Sequence, residues 1–267
     1  MSDATGFLDA DRLRADTFVR HVELHDTLPS TNDCALALAL DASLQTPALV
    51  VARRQTAGRG RGPHDWWATD GALTFSLLID SDEFGITQRD WPRLSVATAV
   101  AVCDALERCE VPPSHLGIKW PNDVLVDGRK VCGILIESPG GTAPAGGRLV
   151  VGVGINVNNS WRDAPQDAGP CGTSLCDESG REHDPAAVLQ RVLSAVERRL
   201  RQLAANDPEL PPAWQRRCRL TGQTVEIDAG DRCVRGVCQG IADDGALVVK
   251  RPSAIERVYS GTVKSTM

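Results

Sequence analysis

The chain has 267 residues, 42% of them apolar, and carries a net charge of −6 from 35 acidic and 29 basic side chains. That length allows one large catalytic domain and a small appendage, and the acid excess disfavours bulk binding to nucleic acid, which needs a basic face. The N-terminal stretch MSDATGFLDADRLRADTF is polar, and no apolar run reaches the roughly 18 residues of a membrane span, so neither a signal peptide nor membrane association is expected.

In chain order, the first 20 residues read as a short helix or a loose arm. Ser30 or Thr31 is placed to cap a helix over CALALALDA. Residues 48–53 and 72–79 read as buried strands, with the loop QTAGRGRGPHDWW after the first. Pro92 opens a helix of about 17 residues whose aliphatic side suits a sheet. Three β-like segments follow: GIKW, a hairpin DVLVDGRKVCGILIE turning at Asp127-Gly128, and RLVVGVGINV. A polar connection leads to an amphipathic helix over about 185–205. From Leu220 the pattern changes to the short strands TVEIDAG, CVRGVCQGI, GALVVKR and RVYSGTV. A β unit of that size is too small to be very stable alone, so docking on the main domain is expected.

Nine cysteines, at 34, 103, 109, 132, 171, 176, 218, 233 and 238, form no C-x-x-C pair. An odd number without metal-ligand spacing suits a reducing, cytoplasmic compartment, and most read as buried small hydrophobes. No nucleophile–base arrangement stands out, and of five histidines only His64 lies in a motif.

Three segments carry chemistry. In QTAGRGRG (55–62), glycines alternate with Arg59 and Arg61, whose planar forks suit carboxylate or phosphate. A solvated loop or an RNA contact fits the same residues; a dinucleotide fingerprint does not, because the spacing is wrong and no helix follows. In KWPND (119–123), Pro121 stiffens a polar pair, Asn122 and Asp123, and the carboxylate suits Mg²⁺ beside phosphates. Lys119 and Lys130 lie near neighbouring strand ends, and a capped turn with solvated lysines is the plainer alternative. In GVGIN (152–156), glycines admit a ligand or another chain segment to the sheet, and Asn156 offers an amide to a base edge; a bulged strand explains it as well. Together the segments suit an ATP-consuming enzyme that acts on an acid.

STN (30–32), QTAGRGRG with Trp66 after it, KWPND, KVCGIL (130–135) and GVGINV (152–157) together resemble the biotin–protein ligase family, in order and spacing, over about residues 25–220. The resemblance implies an α/β (α+β) fold: a mixed, largely antiparallel sheet with packed helices, like a class II synthetase, over 1–219, and a small C-terminal β-barrel over 220–267. It implies that biotin and ATP give biotinyl-5′-AMP, and that a lysine of a biotin carboxyl carrier protein then attacks the adenylate. It places Ser30, Thr31, Gln55 and Gly133 at biotin, and Gly58, Arg59 and Arg61 in a loop closing over biotin and the adenylate. Trp66, Asn122 and Asn156 fall to the nucleotide, Lys119 to the phosphates and Lys130 to the biotin carboxylate. Asp123 falls to Mg²⁺ or the incoming lysine.

The sequence departs from the family pattern at Gly62-Pro63-His64-Asp65, where further basic residues are common, and Cys132 reads as packing. Lys264 is a weak stand-in for a C-terminal arginine. About 25 residues precede STN, fewer than a helix-turn-helix domain needs, so a ligase without DNA binding is expected. Lipoate ligation, which shares fold and chemistry, is the nearest alternative. A homodimer and a carrier contact by strand pairing at a sheet edge complete the expectation.

Overall fold

The computed structural model describes residues 8–139, 147–165 and 172–266; Cys171 and the first seven residues lie outside them. The helices are α1 (Ala10–Asp16), α2 (Thr31–Leu38), α3 (Ser81–Phe84), α4 (Trp91–Glu107), α5 (Leu175–Ser179), α6 (Pro185–Ala204) and α7 (Leu210–Gln215). The first strands are β1 (His21–Leu28), β2 (Ala48–Gln55), β3 (Ala72–Asp80), β4 (Leu116–Lys119), β5 (Asp123–Val126), β6 (Arg129–Glu137) and β7 (Arg148–Asn156). They form one sheet in the order β1-β2-β3-β7-β6-β5-β4, antiparallel throughout except for the parallel pair β1–β2.

The local chemistry explains these elements. Ser30 caps α2 by accepting from the Asp33 N–H, and Pro92 sits in the first turn of α4, where a missing donor costs nothing. The β5–β6 hairpin turns through Asp127 and Gly128, both with positive φ (49° and 78°), as a two-residue type I′ turn requires. Every residue of β7 is buried, because both sheet faces are covered there. On one face Phe75, Leu77, Val151, Val153 and Ile155 belong to the core shared with the buried sides of α4 and α6, and α4 contacts β4, β5 and β6. On the other, α2 brings Ala35 and Ala39 onto Ala48, Val50, Leu78 and Val150.

The last five strands are β8 (Thr224–Asp228), β9 (Cys233–Ile241), β10 (Leu247–Lys250), β11 (Ile255–Val258) and β12 (Thr262–Thr266), paired in the order β11-β10-β9-β8-β12. This unit docks on the larger sheet, as its size demanded. Val225, Ile227, Val234 and Leu247 share the main core, and the Trp120 indole donates to the Gly245 carbonyl (3.0 Å). The segment 217–219 bonds to Ile118 of β4.

Several elements differ from the sequence reading. β1 was not anticipated: it is a half-buried edge strand in which polar and apolar residues alternate only over His21–His25 before Asp26 and Thr27 break the pattern. RVYSGTV is two strands, β11 and β12, separated by a turn at 259–261. The short helices α5 and α7 lie within stretches that carry no clear helical period.

Candidate active site

The site is a feature of register. Ala52, Thr74, Gly154, Gly133, Asp123 and Lys119 stand side by side across six adjacent strands. The next row holds Val50, Ser76, Gly152 and Leu135. α2 covers one end of this face. Past its N-terminus the small residues leave a cavity of about 340 Å³, roofed by the 58–66 loop and closed at one side by Gly261, Thr262 and Val263.

Four cations face this one cavity: Arg59, Arg61, Lys119 and Lys130. Lys130 is there because of a β-bulge. The register shifts between Val124↔Cys132 and Leu125↔Lys130, leaving Val131 as an extra residue in β6. Strict alternation from Gly133 would put Lys130 on the α4 face; the bulge returns it to the cavity. Its Nζ lies 2.7 Å from Asp123 Oδ1 and 5.6 Å from the centre of the Trp66 ring.

Arg59 is held rather than free. Its guanidinium grips Glu137 through two bonds (2.9 and 2.6 Å) and reaches Asp33 at 2.7 Å. The hydrogen bond from Arg59 to Glu137 is the main cause of its raised pKa. Burial would raise the Glu137 carboxyl, but bonds from Arg59 and Asn32 and the Arg59 charge outweigh it, and its pKa is lowered. Arg61 donates to the Gly261 carbonyl and has its Nη2 3.4 Å from Ser260 Oγ, so the loop is tied to the C-terminal unit. Burial lowers its pKa, and the Asp123 charge partly offsets that.

At the α2 end, Gln55 Oε1 accepts from the Thr31 N–H (2.6 Å) and Oγ1 (3.1 Å), while Ser76 donates towards Thr31 and Asn32. Ser30, Thr31 and Gln55 line this end of the cavity. Asn32 joins them by bonding to Glu137 at 2.8 Å.

The loop 58–66 is itself a small hairpin. Trp66 N–H donates to Gly58 O, Gly60 N–H to His64 O, and Arg59 bridges Asp65. Gly58 therefore serves the turn and does not line the cavity. The Trp66 indole lies directly on the sheet: a Cβ on Gly154 would come within 2.3 Å of it, and one on Gly133 within 3.2 Å. The resemblance gives Trp66 to the nucleotide and Gly133 to biotin, and here the two are neighbours.

Asn122 lines the cavity, but its amide donates to Ile134 O (2.8 Å) and secures the start of β5. Asn156 is not brought to the cavity. It is buried, its amide donating to Thr173 O and accepting from Asn159, so it fastens β7 to the 172–174 segment. Lys264 points elsewhere and pairs with Asp228 at 2.9 Å. His64 is exposed at the cavity rim. Sequence reasoning missed Asn32, Thr74 and the 261–263 contribution. The first stood inside the quoted STN motif, and the others emerge only from strand register and docking.

The donor set fits Mg²⁺. Asp123 lines the cavity, and its Oδ1 is buried, ion-paired to Lys130 and otherwise without a hydrogen-bond partner among the described residues. Mg²⁺ is commonly held by one or two carboxylates and substrate phosphates, and Asp123 supplies one.

Comparison with known proteins agrees with this geometry. Residues 24–156 match the biotin/lipoate A/B protein ligase family, and residues 220–264 match the biotin protein ligase C-terminal domain. The chain belongs to the biotin protein ligase family. It is 36% identical to a biotin–[acetyl-CoA-carboxylase] ligase of Paracoccus denitrificans over 88% of this chain and 96% of that one. It is 31% identical to the bifunctional ligase/repressor BirA of Bacillus subtilis over 94% of this chain and 76% of that one. A biotin protein ligase from Aquifex aeolicus, solved in complex with biotin and ATP, superposes with a TM-score of 0.77 at 26% identity, covering 92% and 98% of the two chains.

Proposed function

We infer that the protein is an ATP-dependent biotin protein ligase. It joins the biotin carboxylate to the α-phosphate of ATP with loss of pyrophosphate. It then passes the biotinyl group from AMP to a lysine amine of a biotin carboxyl carrier domain in a carboxylase. The observation that supports this best is the convergence of Arg59, Arg61, Lys119 and Lys130 on one cavity floored by glycine.

A carboxylate and a triphosphate repel each other, so attack requires cationic groups that hold both and stabilise the charge developing at phosphorus. In this reading Lys130 holds the biotin carboxylate and Lys119 the leaving phosphates. Ser30, Thr31, Gln55 and Gly133 border biotin, and Trp66 and Asn122 border the nucleotide. Asn156 acts on the nucleotide only by fixing the end of β7. Asp123 would hold Mg²⁺, which neutralises phosphate charge when bound, and orients Lys130. Arg61, tied to Gly261, keeps the loop over the adenylate and excludes the water that would hydrolyse it.

The same reading assigns residues 1–219 to catalysis and 220–267 to a small unit that completes the cavity wall. It takes the enzyme to be cytoplasmic and without DNA binding; among the described residues no helix is long and apolar enough to cross a membrane. The large sheet ends on β1 and β4, and β4 is already bonded to segment 217–219, so β1 is the edge offered for carrier or homodimer contact. The test is incubation with labelled biotin, ATP, Mg²⁺ and a carrier domain, with lipoate in parallel. Biotin on the carrier lysine is expected; labelling by lipoate alone overturns the reading.

A further inference from the structure

Away from the cavity, strand β1 carries His21, Glu23 and His25 at alternate positions, which puts the three side chains on one face. Their partners across β2 are Ala48, Val50 and Ala52, and Ala48 and Val50 lie on the face that α2 covers. Cys34 of α2 reaches the same spot. His25 Nε2 is 3.1 Å and Cys34 Sγ 3.6 Å from Glu23 Oε2, and His21 Nε2 is 3.3 Å from Oε1. The donor atoms of Glu23, His25 and Cys34 all lie within 4.8 Å of one another.

Tetrahedral zinc, with bonds of about 2.0–2.3 Å, keeps its ligand atoms roughly 3.3–3.8 Å apart. The donors are thus gathered almost at bonding separation. Nitrogen, carboxylate and thiol together suit zinc better than a hard ion such as Mg²⁺. The ion pairs of Glu23 among the described residues are with these two histidines and none with lysine or arginine, so no fixed cation occupies the carboxylate. The side chains of His21 and His25 are 37% and 32% exposed, so an ion can arrive from solvent.

We propose that Glu23, His25 and Cys34 form a zinc site, with His21 or water as the fourth ligand, that staples strand β1 to helix α2. The staple lies next to the N-terminus of α2, whose Thr31 and Asn32 line the catalytic cavity.

The test is titration of the full-length protein with Co²⁺ as a spectroscopic stand-in, followed by competition with Zn²⁺. One equivalent should give a thiolate-to-cobalt charge-transfer band that Zn²⁺ abolishes, and Zn²⁺ should raise the melting temperature. Loss of a ligand should weaken binding by at least the roughly 10–100-fold seen when an outer-shell partner is removed. Cys34→Ser should remove the band, and His25→Gln, a change at a partly exposed strand position, should weaken binding without unfolding the chain. Cobalt bound at Asp123 alone would give no thiolate band. Absence of the band in the parent protein, or its survival in Cys34→Ser, overturns the proposal.

Discussion

Lys130 Nζ lies 2.7 Å from Asp123 Oδ1, across a hairpin whose bulge turns the lysine onto the cavity face. The pair is positioned by strand register and not by a mobile loop, so its geometry is as fixed as the sheet. A cation so held is ready to receive a carboxylate without reorganising, which is the property electrostatic catalysis needs.

Lys130→Ala should therefore cut biotin-dependent pyrophosphate release by about 10²–10³-fold, the usual effect of removing one such donor. Far-ultraviolet circular dichroism should stay unchanged, because the side chain is partly exposed and outside the core. Near-normal pyrophosphate release would mean that another cation holds the carboxylate.

Arg61→Ala removes the tie between the 58–66 hairpin and Gly261. Hydrogen bonds that involve a charged group contribute about 1.5–3 kcal/mol, so adenylate escape should quicken by roughly ten- to hundredfold. The readout is biotin on lysines of a bystander protein, measured by mass spectrometry. Labelling confined to the carrier would show that Arg61 does not hold the loop.

Gly154→Ala places a methyl group within 2.3 Å of the Trp66 ring, and the indole must move. Overpacking of this kind costs about 1–3 kcal/mol, read as lowered melting temperature and weakened biotin binding. In a Trp66→Ala background the same change should cost much less, and a double-mutant cycle measures the coupling. Additive effects would place the indole elsewhere.

The Arg59–Glu137 pair predicts acid sensitivity of the roof. The Glu137 pKa is lowered on folding, so its stabilising contribution is fully present above the ordinary value of 4.5 and disappears as pH falls through the depressed value. The melting temperature of the parent protein should drop below about pH 4.5 more steeply than that of Glu137→Gln. Parallel curves for the two would remove Glu137 from the account.

Much of the fold could be read from the chain. The caps at Ser30 and Pro92, the Asp127-Gly128 turn and the buried runs of β2, β3 and β7 each announce their geometry locally. β1 was not read, because only Val22 and Leu24 mark its inward face between polar residues, a short signal for an edge strand paired on one side. The site was legible where motifs were quoted and opaque where register decides. Thr74 and Asp123 are far apart in sequence, yet share one row through Gly154 and Gly133. The bonding of Asn156 was opaque for a related reason. A terminal-strand amide looks available until the 172–174 segment folds back and uses it.

The central claim, that these four cations bring an acid and ATP together, is tested most directly by exchange of labelled pyrophosphate into ATP. With Mg²⁺ present, exchange should depend on biotin, be negligible with lipoate, and fall by about 10²–10³-fold in Lys130→Ala. Folded protein that shows no biotin-dependent exchange, or exchanges equally well with lipoate, would contradict it.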